Sequence, residues 1–177
     1  MNFKTIATTL AGVVLFSAFA DQGASAIGKT AKAELKFADG KDAGTVTLTE
    51  AASGVLLKYD LKGLMPGPHG LHVHEVGKCE GDFSSAGGIY NPLGASHGFL
   101  NEEGPMAGDL PNVIAASDGT AVAEVLSPYL NLSQDGDDGL FDGDGSALVL
   151  YEKADNYLSD PEGGAEPRIA CGVLKAQ

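Results

Sequence analysis

The sequence predicts an all-β domain, an antiparallel sandwich or barrel, on three observations. Short runs of alternating apolar and polar residues recur along the chain, the period of a half-buried strand. Turn signals rich in Gly, Asp and Pro separate those runs. Helical periodicity is poor and glycine is abundant, at 25 residues, so no helix of ordinary length is expected.

Taken in order, the strand-like runs are AKAELKF (31–37), GTVTLTE (44–50), GVLLKYDL (54–61), LHVHEV (71–76), TAVAEVL (120–126), SALVLY (146–151) and RIACGVL (168–174). ADGKDAG, GLMPGP, SDG and DGDG read as turns between them. Two connections, roughly 77–111 and 152–168, are too long to be plain turns. Long ordered loops on a β scaffold commonly carry function. No internal repeat and no domain boundary interrupts the pattern.

Residues 1–26 read differently, as an export signal. Lys4 gives the positive start, IATTLAGVVLFSAFA the apolar core, and AFA (18–20) or ASA (24–26) the cleavage site. Cleavage after 20 or 26 leaves a mature domain that we place at 27–177, periplasmic or secreted. The apolar run is too short for a membrane span, and no Cys near the cleavage site offers a lipid anchor. Export places Cys79 and Cys171 in an oxidising compartment, where one disulfide is their simplest use.

The net charge is −13, and loss of Lys4 and Asp21 with the signal leaves it unchanged. That balance argues against nucleic acid and anionic membranes as partners. The acidic stretch 133–146 carries Asp135, Asp137, Asp138, Asp142 and Asp144. It resembles a calcium loop in composition but lacks the DxDxDG order and the distal Glu, so no specific cation site is expected there. Arg168 is the sole arginine.

Three of the four histidines lie in HGLHVHE (69–75). His72 and His74, two apart on a strand, point to one face and could offer a metal two ligands. A firmly held metal wants three or four, and only His97 remains elsewhere.

The ordered motifs GPHGLHVHE, Cys79, SAGGIYNP, HG, GPMAGDLPN, DGSALVLYEKADNY, DP and RIACGV together resemble the copper/zinc superoxide dismutase family, from about residue 27 to 174. The resemblance implies an eight-stranded Greek-key β-barrel with a metal-binding loop, an electrostatic loop and an intrasubunit disulfide between Cys79 and Cys171. It implies copper ligation by His72 and His74, and zinc ligation by His97 and Asp109. Asp155 corresponds to the carboxylate that connects the two metal sides, and Arg168 to the arginine that draws in superoxide. His69 corresponds to a structural histidine. Three family histidines are replaced: the bridging one by Ile89, one zinc ligand by Met106 and the last copper ligand by Tyr151. The flanking motifs are intact, so these are substitutions at defined positions.

Ile89 can neither bind copper nor carry a proton, and Met106 suits Zn²⁺ poorly. Zinc is therefore not expected at the usual place. The three replacements are bulky and are expected to fill the former metal centre. The expected function is that of an exported dismutase-like protein without efficient dismutase activity, holding copper weakly or no metal at all. In the metal-free form His72, His74, His97 and Asp155 make a hydrogen-bonded network. The alternative is an unconventional copper redox enzyme using His72 and His74. A lower alternative is haem binding, since Tyr, His and Met all ligate haem iron. A small-molecule or metal ligand and a homodimer are the partners this reading allows.

Overall fold

The computed structural model describes residues 27–133 and 139–177, and within them the predicted β pattern is realised. The strands are β1 (Thr30–Phe37), β2 (Asp42–Ala51), β3 (Gly54–Leu61), β4 (Gly67–His69), β5 (Leu71–His74), β6 (Val113–Ala115), β7 (Ala121–Ser127), β8 (Ala147–Tyr151) and β9 (Arg168–Ala176). A single turn of 3-10 helix, Ser84–Ala86, is the helical content among the described residues. The export signal at 1–26 and Asp135, Asp137 and Asp138 of the acidic stretch lie outside the described residues.

Every predicted run forms a strand. Seven strands make one antiparallel sheet in the order β5-β8-β9-β1-β2-β3-β7, and β4 pairs with β6 in a second. β1, β2 and β3 follow one another as a meander, while β7 joins beside β3 and β9 beside β1, the crossovers of a Greek key.

The eight expected strands appear as nine segments because residues 67–74 change partner at Gly70. Before it His69 pairs with Val113, and after it Leu71 pairs with Leu150. Gly70 is needed there for close approach. A Cβ would lie 2.9 Å from the Ala165 side chain and 3.5 Å from that of Tyr151. The strand thus swings from one sheet to the other under the 152–167 connection.

Alternation does what the sequence pattern demands. Ala31, Ala33 and Leu35 of β1, Val46 and Leu48 of β2, and Val55, Leu57, Tyr59 and Leu61 of β3 point into the core. A fully buried side chain of this kind contributes roughly 1.5–3 kcal/mol. A second apolar cluster of Phe83, Ala86, Ala147, Val149, Tyr151, Ala165 and Cys171 lies under the long connections. The disulfide between Cys79 and Cys171 ties the first connection to β9 across 92 residues. No helix among the described residues is long and apolar enough to cross a membrane.

β5 ends the large sheet, and an edge strand needs cover. The 75–112 connection supplies it. Val73 donates its N–H to Gly108 and accepts from Tyr90, and Tyr90 accepts from Gly108. Bridges between His72 and Asp109 and between His74 and Ile89 extend this cover. β5 is buried along its whole length as a result.

Candidate metal centre

The same edge cover brings the predicted site residues together around β5. His72, His74, His97, Asp109, Tyr151 and Asp155 are all buried. They divide into two hydrogen-bonded groups.

The first group centres on Asp155. Its Oδ2 accepts from His72 Nε2 at 3.0 Å, and its Oδ1 accepts from His97 Nε2 at 3.0 Å and from the Tyr157 N–H at 2.6 Å. The other nitrogen of His97, Nδ1, lies 2.7 Å from Asp109 Oδ1. Asp109 Oδ2 accepts the N–H groups of Gly98 and Met106. Asn112 holds the Asp155 backbone on both sides, accepting from its N–H and donating to its C=O, each at 2.8 Å. The chain Asp109–His97–Asp155–His72 therefore joins both long connections to β5.

His97 has a carboxylate on each ring nitrogen. Burial works against its charge, but the bonds to Asp109 and Asp155 outweigh that and raise its pKa to about 9. Near neutral pH it is an imidazolium between two carboxylates. Burial also opposes charge on Asp155, yet the bonds from His72, His97 and the Tyr157 N–H hold its pKa well below the usual carboxylate range.

A pH dependence follows. A raised histidine pKa contributes stability that is complete below the unfolded value of 6.5 and lost as pH rises through about 9. The difference corresponds to ~3 kcal/mol. Asp155, depressed, contributes above the ordinary carboxylate pKa and loses its part as pH falls through the acid range. Urea unfolding between pH 6 and 9.5 is expected to show stability falling towards the alkaline end, and a flatter profile in His97→Gln. An equally flat profile in the unaltered protein would contradict the doubly bonded imidazolium.

The second group is His74 with Tyr151. The Tyr151 hydroxyl donates to His74 Nε2 at 2.9 Å, and His74 Nδ1 donates to the Gly87 carbonyl at 3.1 Å. Burial, with the Arg168 charge behind it, pushes the His74 pKa down to about 3, so the ring is neutral and its Nε2 is an acceptor. Burial, then the Glu162 charge, pushes the Tyr151 phenol well above its ordinary value, which keeps it a donor. The four-residue network expected from the sequence is corrected here: His74 is not part of it and bonds to Tyr151.

Of the replaced positions, Ile89 and Tyr151 are buried, as expected for side chains that fill a centre. Met106 is only half-buried. His69 sits apart from the two groups, with its nitrogens 2.9 Å from the Tyr151 carbonyl and 2.7 Å from that of Met65. Arg168 donates to the Phe83 and Gly87 carbonyls at 2.9 and 3.0 Å and pairs with Glu162.

Neither metal of the related family fits these donors as they stand. On the zinc side both nitrogens of His97 are engaged by carboxylates, Ile89 has no donor atom and Met106 offers only a thioether. On the copper side two imidazoles remain, and the Tyr151 phenol engages Nε2 of one. His72 Nδ1 is the exception: it is buried with no hydrogen-bond partner among the described residues. His72, His97 and Asp155 do place donor atoms within 4.8 Å of one another, but the Nε2 atoms of both histidines already bond to the Asp155 carboxylate.

Sequence reasoning missed three residues of this centre. Asn112 and Tyr157 hold Asp155 in place, and Glu162 covers Arg168. An acid or amide in a loop of a chain this acidic gives no local signal of such a role, and Tyr157 acts on Asp155 through its backbone N–H, which any residue but proline carries.

The family model for copper/zinc superoxide dismutase matches residues 42–174. A copper-zinc superoxide dismutase of Caulobacter vibrioides is 49% identical over 149 residues, covering 82% of this chain and 86% of that one. Copper-zinc superoxide dismutase 2 of Aquifex aeolicus is 42% identical over 175 residues, covering 97% and 99%. Among solved structures, a double mutant of a SOD-like protein from Bacillus subtilis, with a tyrosine and a proline each changed to histidine, superposes with a TM-score of 0.77. It is 38% identical and covers 80% of this chain and 95% of that one.

Proposed function

The chain belongs to the copper/zinc superoxide dismutase family, and we propose that within it this protein is an exported, dismutase-fold member without efficient dismutase activity. Hydrogen bonds take the place of the metals. A proton on His97 replaces zinc between the two sides of the centre, and the Tyr151 phenol takes the Nε2 of His74 that copper would need. The observation that carries this reading is the His97 Nδ1 to Asp109 contact of 2.7 Å. It brings two groups that the family gives to zinc into direct contact with each other.

Export is supported by the disulfide, which belongs to an oxidising compartment, and by the sequence of 1–26. Haem is the least supported of the readings. Tyr151 and His74 are fully buried, and a groove of about 620 Å³ lies against the disulfide and the β1–β9 face instead of beside them.

A second reading keeps weak copper binding at His72 and His74, and the unpartnered His72 Nδ1 favours it. Copper would have to displace the Tyr151 hydroxyl from His74. Thioether and imidazole donors suit Cu(I), but Met106 is only half-buried and its backbone is held by Asp109 on the other side of the centre.

Elemental analysis of protein purified from its native compartment, with superoxide decay measured before and after copper loading, tests the proposal. The expected result is substoichiometric zinc and decay that copper loading raises little. Stoichiometric zinc together with near-diffusion-limited decay would overturn it. Stoichiometric copper without that decay would favour the second reading.

A further inference from the structure

We propose that Glu162 is an internal anionic ligand that closes an anion site built around Arg168, so that a small oxyanion binds there only when this carboxylate is withdrawn. Arg168 opens β9 and has little exposure, with 15% of its side chain accessible against 10% for Glu162. Its Nη1 and Nη2 donate to the Phe83 and Gly87 carbonyls, and its Cζ lies 5.9 Å from the centre of the Tyr151 ring. Neither carbonyls nor an aromatic face neutralise a guanidinium. Glu162 alone, among the described residues, brings a carboxylate into hydrogen-bond contact with it. A guanidinium fixed by backbone acceptors and turned towards one carboxylate is the geometry with which arginine binds oxyanions.

The backbone fixes the carboxylate in that position. Residues 159–165 form a tight turn in which Gly163 donates to the Ser159 carbonyl and Ala165 to that of Glu162. Gly163 has φ +62°, and a Cβ there would lie 1.7 Å from Asp155 Oδ1. The turn is therefore seated directly on the Asp155 network, and the residue before Gly163 is delivered to Arg168. One connection both cross-links the centre and covers its cation.

The test is calorimetric titration with inorganic phosphate at constant ionic strength, on the full mature chain without added metal. The unaltered protein is expected to bind phosphate only weakly. Glu162→Ala, which removes both the charge and the bulk, is expected to bind phosphate about tenfold tighter or more, a difference of ~1.4 kcal/mol. The double variant Glu162→Ala/Arg168→Gln is expected to lose that gain. Equal binding by the unaltered protein and Glu162→Ala, or no binding by a folded Glu162→Ala, would overturn the proposal. Should Glu162→Ala not fold, Glu162→Asp, whose shorter carboxylate leaves the guanidinium partly uncovered, takes its place, and the absence of any gain there would equally overturn it. No metal enters the measurement, so its outcome is separate from that of the metal analysis.

Discussion

Asp155→Ala is expected to lower stability by about 3–5 kcal/mol, the range for removing one partner of a buried charge pair. Three donors lose their acceptor at once: His72 Nε2, His97 Nε2 and the Tyr157 N–H. The two imidazole nitrogens lie in the interior, where an unsatisfied group costs about 1–3 kcal/mol, and the Tyr157 N–H is part-buried. His97 would keep Asp109, so its charge would be only half compensated. Asp155→Asn retains one acceptor oxygen and the side-chain shape, and is expected to fall between alanine and the unaltered protein. Urea midpoints measure the loss. Amide exchange locates it, with faster exchange expected at Gly98, Asn112 and Tyr157 but not in β1–β3, whose ladder is remote from the site. A loss below about 1 kcal/mol, or a loss of protection spread evenly over the sheet, would show that the network does not hold the connections down.

The fold was legible because strand alternation is a local property. Seven runs with a period of two became seven strands. The alternate positions Ala31, Ala33 and Leu35 of AKAELKF and Val55, Leu57, Tyr59 and Leu61 of GVLLKYDL line the core, while Leu56, out of phase with them, is exposed. β4 and β6, three residues each, are too short to carry a period. The partner change at Gly70 depends on Ala165 and Tyr151, which are far away in sequence, so no local pattern announces it. The candidate site divides in the same way. The resemblance placed His72, His97, Asp109 and Asp155 near one another because the motifs around them are long. It could not say that Tyr151 would turn its hydroxyl on His74, since that depends on a phenol reaching farther than an imidazole. Nor could it distinguish Glu162 from the many other acids, because its role comes from a turn fixed by Gly163 against Asp155.

The substitution with the largest expected gain is the triple variant Ile89→His/Met106→His/Tyr151→His. Each change acts on a particular obstacle. Tyr151→His withdraws the phenol and frees His74 Nε2. Ile89→His introduces a donor beside β5, where residue 89 already bridges to His74. Met106→His introduces one beside Asp109, whose carboxylate holds the N–H of residue 106 at 2.9 Å. Zinc then competes for His97 Nδ1 with a single proton, and binding must release that proton. Four donors satisfy the tetrahedral requirement. The triple variant is expected to take up one zinc and one copper per chain. At zinc a thousandfold above its dissociation constant, the stabilisation is ~4 kcal/mol, read as a zinc-dependent rise in Tm that the unaltered protein lacks. Proton release measured in weakly buffered solution during zinc titration separates displacement of the His97 proton from binding at the surface. A folded triple variant that binds neither metal would mean that the connections themselves, and not the three side chains, exclude metal. A zinc-dependent Tm rise of the same size in the unaltered protein would mean that Asp109 gives up His97 readily, and that the proton does not hold the zinc position.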